Sequence, residues 1–194
     1  MRFFALQSSF IPWGDYGHVL QDGIATRSKR TGLLQVQRTG PFVPPISLPF
    51  MTVVVTADLK TRLGESGLVG AVFQQAVKEH IVHLEWEKWD RNADEPAEYP
   101  ETGEPEDYIL ARPHSPETAA HMPALWELCL KNGAEGGREG DRFDPTLYIV
   151  GSSWDGSDFF TAHGLGYRFV SERAKEWLER EVGQWVSFQE FLVK

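Results

Sequence analysis

One cysteine in 194 residues, Cys129, removes two classes of protein at once. Neither an internal disulfide framework nor a four-cysteine zinc site can be built from it, and a lone thiol in a helical-looking segment is expected as buried filler. Long apolar runs are missing too. Nothing approaches the roughly 20 consecutive apolar residues of a membrane-spanning helix. The opening Met1-Arg2-Phe3-Phe4-Ala5-Leu6 meets Pro12 and Trp13 too soon to read as a secretory signal. The expectation is a cytoplasmic chain with no membrane contact. Positive charge is scarce, with 19 Lys and Arg against 28 Asp and Glu and a net charge of −9. Phosphate backbones are bound through Lys and Arg, so direct nucleic-acid binding is disfavoured. An acidic surface suits a basic protein partner, and it also simply keeps a protein in solution.

Catalytic signatures are equally thin. Gly133 to Gly140 is rich in glycine but lacks the lysine of a phosphate-binding loop, and its two glutamates would repel phosphate; it is expected to be a flexible loop. Ser152-Ser153-Trp154-Asp155-Gly156, with His163 following, lacks the flanking glycines of a nucleophile elbow and reads as a turn with polar caps. Of His80, His83 and Glu85, a strand would put His83 and Glu85 on one face and His80 on the other. His114 and His121 lie about two turns apart near a helix start, with no carboxylate or cysteine placed to join them. No catalytic residue, metal ligand or cofactor is therefore assigned. A small metal-dependent hydrolase using His80, His83, His114 or His121 stands as one reading, and a regulatory interaction protein as another, from a different class.

What the chain does have is enough apolar content, 41% with seven tryptophans, for a globular core. One domain over residues 1–194 of α+β class is expected. Two stretches repeat each other at an offset of about 115 residues: Val55 falls on Val170, Thr56 on Ser171, Lys60 on Lys175, Leu63 on Leu178 and Phe73 on Phe188. In each, a β-branched run predicts a short strand. A Thr or Ser then caps a helix whose first turn carries Asp58 or Glu172. Gly67 or Gly183 stops the helix, and a second strand follows. The expected internal units are about 52–86 and 146–194, both scaffold.

Other segments read more plainly. Arg2 to Gln7, Leu33 to Val36 and Thr146 to Val150 predict strands; Pro12 to Gln21 predicts a turn, and Ile24 to Lys29 irregular chain. Pro41 to Pro49 is an extended connector, because proline lacks the N–H that helices and central strands need. A helix is expected from Ser115 or Pro116 to Lys131, broken at Pro123. Residues 89–107 carry Pro96, Pro100 and Pro105 among acids and form an exposed loop. This loop is the candidate partner-binding surface: Asp94, Glu95, Glu98, Glu101, Glu104 and Asp107, with Trp89 as anchor.

The opening Met1-Arg2-Phe3-Phe4-Ala5-Leu6, the segment Val53 to Phe73 and the ending Ser157-Asp158-Phe159-Phe160, then Phe169-Val170-Ser171-Glu172-Arg173 through Phe188, resemble the double-CxxCG immunity proteins of myxobacteria and related immunity proteins found beside polymorphic toxins. The resemblance covers about half the chain. It implies a protein that binds and occludes a cognate toxin without turnover, and an acidic inhibitor suits a basic nuclease. The CxxC pairs that name the family are absent here, so no metal ligand carries over.

Overall fold

The computed structural model describes residues 1–9, 11–141 and 143–194. In chain order the elements are β1 (Phe3–Ser8), α1 (Asp15–Asp22), β2 (Ile24–Arg27), β3 (Leu34–Gly40), β4 (Ile46–Ser47), β5 (Val54–Thr56), α2 (Ala57–Glu65), β6 (Val72–Gln75), β7 (Val77–His83), α3 (Asp107–Leu110), α4 (Pro116–His121), β8 (Leu125–Cys129), β9 (Lys131–Gly140), β10 (Pro145–Val150), β11 (Phe159–His163), β12 (Arg168–Ser171), α5 (Glu172–Val182) and β13 (Val186–Val193). Helices hold 23% and strands 37% of the residues, which makes the fold α+β. Among the described residues no helix is long and apolar enough to cross a membrane. The expected caps form: Thr56 Oγ1 accepts from the Leu59 N–H at 3.5 Å, and Ser171 Oγ from the Ala174 N–H at 3.2 Å.

The chain divides into two compact units. Unit 1 comprises Met1–Ser9, Thr61–Val72 and Cys129–Lys194; unit 2 comprises Phe10–Lys60 and Phe73–Leu128.

Unit 1 is a closed six-stranded barrel of order β1-β12-β11-β9-β10-β13. β1 lies antiparallel to both β12 and β13, pairing Phe3 with Ser171 on one side and with Phe191 on the other. Closure comes from two parallel pairings, β10 with β13 and β11 with β9. Alternate inward residues fill the interior: Phe3, Ala5, Ala134, Ile149, Phe160, Ala162 and Phe169 are buried, with Phe191, Val193 and Trp154 packed against them. On α5, Ala174, Leu178 and Val182 recur every fourth residue and are buried, giving the helix one apolar face.

The glycine-rich stretch expected as a flexible loop is instead strand β9 of this barrel. Glycine there makes room. A Cβ on Gly137 would lie 2.3–2.6 Å from the ring and hydroxyl of Tyr148; on Gly133 it would meet Phe160 and Ser157, and on Gly136 the Leu165 side chain. A side chain at any of these positions would force those neighbours to move. Gly137→Val is expected to lower stability by about 1–3 kcal/mol, the usual cost of overpacking, in urea denaturation.

Unit 2 builds two sheets, β2-β3-β7 and β4-β5-β8-β6, with the strand run 72–83 passing from one to the other at Ala76. Leu34, Val36, Val54, Ala76, Ile81, Met122 and Leu125 form its core. Four expectations are corrected here. Residues 15–22 are helix α1 rather than a turn, and 24–27 are strand β2 rather than irregular chain. The Pro41–Pro49 connector contains the two-residue strand β4, which pairs with β5 through Ile46–Val55 and Ser47–Val54. The helix starting after Ser115 stops at His121, and 125–129 form strand β8, paired Val55 to Trp126. Pro123 cannot donate to a helix, and β8 finds ladder partners on both sides that local helical pattern cannot foresee.

One feature of unit 2 is costly in isolation. Arg38 is fully buried, its guanidinium donating to the Gln21 carbonyl at 3.0 Å and to Ser47 Oγ at 3.2 Å. Asp22 lies close enough to support the charge, and its Oδ1 accepts from the Leu48 N–H at 2.9 Å. Burial nevertheless lowers the Arg38 pKa to about 10.

Candidate functional site

The acidic segment is folded onto an aromatic frame within unit 2. Trp86 is buried, edge-on to Phe42 at 5.6 Å between ring centres. Trp13 meets Trp89 at 5.9 Å, and Trp89 meets Tyr108 at 6.0 Å. Tyr16 lies edge-on to Tyr99 at 5.1 Å and to Tyr108 at 6.1 Å. The polar ends of three of these rings tie the backbone down. Trp13 Nε1 donates to the Ala93 carbonyl at 2.9 Å, Tyr16 Oη to that of Gly103 at 2.5 Å, and Tyr108 Oη to that of Glu98 at 2.5 Å. Burial, reinforced by the Glu98 charge, raises the Tyr108 pKa, so the phenol stays a donor through the ordinary pH range. Pro96 and Pro100 are buried. The loop is thus held by side chains that point inward, leaving its carboxylates outward.

Of the residues chosen from sequence, Asp94, Glu95, Glu98, Glu101 and Glu104 are exposed. Glu98 is bound to Arg112 at 2.5 Å. Asp107 opens α3, is half-buried and accepts from Thr102 Oγ1 at 2.6 Å, so it closes the turn before it presents charge. Trp89 is half-buried between Trp13 and Tyr108 and supports the surface from below. The large apolar side chains that do project are Tyr99, 46% exposed, and Leu110, 54% exposed. Sequence reasoning passed over both. Tyr99 sits between two of the acids and Pro100, and that spacing was the available signal.

The histidines are used structurally. His80 Nε2 lies 3.1 Å from the Ile109 carbonyl and 2.9 Å from that of Arg112, so this nitrogen carries the proton. His114 Nδ1 accepts from the Ile81 N–H at 2.9 Å. His83 Nδ1 is 3.1 Å from Thr118 Oγ1, which Ser115 Oγ reaches at 2.8 Å. His121 Nδ1 lies 2.8 Å from the Glu117 carbonyl. Through these bonds His80, His83 and His114 tie the chain around α3 and α4 to strand β7. Among the described residues no three His, Cys, Asp or Glu side chains gather as a metal-ligand set. Ser153, Asp155 and His163 do not converge. Ser153 Oγ donates to the Val150 carbonyl at 2.6 Å and accepts from the Glu135 N–H at 2.8 Å. Asp155 accepts from Ser157, and His163 faces Glu135 at 3.3 Å.

A second buried charge lies in unit 1. Asp158 is 3% exposed, and its carboxylate accepts from Ser171 Oγ at 2.5 Å, the Val69 N–H at 2.7 Å and Arg173 Nη2 at 2.5 Å. Burial opposes its ionisation, but the bonds from Arg173, Ser171 and Val69 outweigh burial and hold its pKa below the usual aspartate range. All its acceptor sites are engaged inside the protein, which makes it a structural clasp. Set against known protein families and curated proteins, the sequence matches none of them.

Proposed function

We propose that this chain is a cytoplasmic immunity protein that binds a cognate toxin in stoichiometric ratio and neutralises it by occlusion, with a basic nuclease as the toxin its charge suits. The observation that carries this reading is the acidic segment of unit 2, in which five exposed carboxylates stand on a frame of packed aromatic rings. A surface already held in shape spends less binding energy on ordering itself, and a field of one sign speeds encounter with a partner of the other. Tyr99 and Leu110 supply projecting apolar contact beside the charge. The sequence likeness of Met1 to Leu6, Val53 to Phe73 and Ser157 to Phe188 to immunity proteins beside polymorphic toxins supports the same reading.

The test pairs this chain with the toxin encoded beside it. Co-expression should restore growth. The fourfold variant Asp94→Lys, Glu95→Lys, Glu101→Lys, Glu104→Lys should slow association at least about tenfold in low salt, with the difference shrinking as ionic strength rises. A toxin left active by the unaltered chain overturns the function. Association rates unchanged by the fourfold variant at every salt concentration remove this surface from it.

A further inference from the structure

We infer that the two units are copies of one six-strand fold whose leading strands have changed places, so that β1 completes the sheet of the second copy and β8 that of the first. The inference stands on topology and register inside each unit, not on the proposed function.

Within unit 1 the order β9-β10-β13-β1-β12-β11 is continuous. Within unit 2 the order β2-β3-β7, passing at Ala76 into β6-β8-β5-β4, repeats it strand for strand. The directions repeat as well. β2 and β3 are antiparallel as β9 and β10 are; β3 and β7 are parallel as β10 and β13 are; β4 and β5 are antiparallel as β11 and β12 are.

Register makes the match specific. Thr56 pairs with Leu125 and Ser171 with Phe3; Val55 pairs with Trp126 and Val170 with Phe4; Val54 pairs with Glu127 and Phe169 with Ala5. On the other side of the same strand the Ala76 N–H bonds to the Leu125 carbonyl, and Phe191, which stands to Ala76 as Ser171 stands to Thr56, lies opposite Phe3. Leu125 and Phe3 are therefore one position in two sheets, and both are buried. Moving outward, Ile46 and Phe159 occupy one place, as do Val36 and Ile149, all buried.

Two side-chain devices recur with the strands. Each helix is capped by the hydroxyl at the end of its strand, Thr56 or Ser171. Lys60 Nζ stands 4.0 Å above the Trp126 ring, and its counterpart Lys175 stands 5.2 Å from the Phe4 ring. Trp126 and Phe4 are the counterparts that the strand register assigns.

In a plain tandem duplication, the strand just before β2 would complete the first sheet and the strand just before β9 the second. The strand before β2 is β1, yet it lies between β12 and β13. The strand before β9 is β8, yet it lies beside β5 and Ala76. The slot between β12 and β13 is thus a strand-accepting groove whose occupant is Phe3–Ser8, and the β8 segment belongs to the same strand type.

The experiment uses the full chain, folded first and then cleaved at a protease site introduced between Ser9 and Pro12. Residues 1–9 should stay bound to the cleaved protein. A labelled peptide of residues 123–131, added in excess in mild denaturant, should enter the slot at least tenfold more than a scrambled peptide of the same composition. Amides of β12 and β13 should lose hydrogen-exchange protection only while the slot is vacant. Entry no better than the scrambled peptide overturns the equivalence, and full protection of β12 and β13 after residues 1–9 have left overturns the donor role. If cleavage leaves the strand locked, Phe4→Trp in the intact chain decides. Placing the β8 residue at its counterpart should move the melting temperature by no more than a few degrees, and a loss as large as that of Phe4→Ala contradicts the proposal.

Discussion

Replacing Asp158 by alanine is expected to lower the unfolding free energy by about 2–4 kcal/mol, because it leaves the Ser171 hydroxyl and the Val69 N–H without their acceptor. Three donors converge on this carboxylate: the hydroxyl of the buried Ser171, the backbone N–H of Val69 and the guanidinium of Arg173. Without Asp158 the Ser171 hydroxyl also loses the bond that orients it as the cap of α5. Arg173→Ala should cost far less, because that side chain is 61% exposed and can be replaced by water. Urea denaturation of the two variants separates these outcomes, and equal losses would place the energy in the ion pair rather than in the buried acceptor. The same group sets a pH dependence. Its folded pKa lies below its unfolded value, so the stabilisation is fully present above about pH 4. It is lost as pH falls through the lower folded value, and the Asp158→Asn variant should flatten that acid limb.

Arg38→Ala should be comparably severe, about 3–5 kcal/mol. The guanidinium fills a fully buried site and donates to the Gln21 carbonyl and to Ser47, so truncation leaves both a cavity and acceptors without donors. Arg38→Met separates the two causes. It restores most of the volume while leaving the acceptors unmet, and about 1–3 kcal/mol should remain. A methionine variant as stable as the parent would show that Arg38 serves as bulk, with its charge offset rather than used. Thermal or urea unfolding of both variants measures this.

How far the residues alone disclosed this arrangement depends on how local each signal was. Caps at Thr56 and Ser171, the buried pair Leu59 and Leu63, and the strands at 3–8, 145–150 and 186–193 follow from neighbours in sequence, and they were legible. The α+β class followed from them. Strand β9 was not legible, because its glycines are selected by Tyr148, Leu165 and Phe160 lying over them, contacts set by the barrel. Strand β8 was missed for a related reason: Leu125 to Cys129 has no alternation of its own, and two partners from elsewhere in the chain make it a strand. In the candidate surface the carboxylates were readable from composition. The support beneath them was not, since Trp13 and Tyr16 lie some eighty residues from the rings and carbonyls they hold. Trp89 illustrates the limit: its type marks an anchor, and only packing reveals which way it faces.

The pairing of Phe3 with Phe191 also bears on how a ribosome delivers this molecule. Strand β1 finds both of its ladder mates only after β12 and β13 have been translated, and until then its N–H and C=O groups wait unpaired. The acid-bearing half, whose own middle strand is made at residues 125–129, can consolidate well before release. Chains in which β1 has been made but β12 and β13 have not should therefore lean on chaperones.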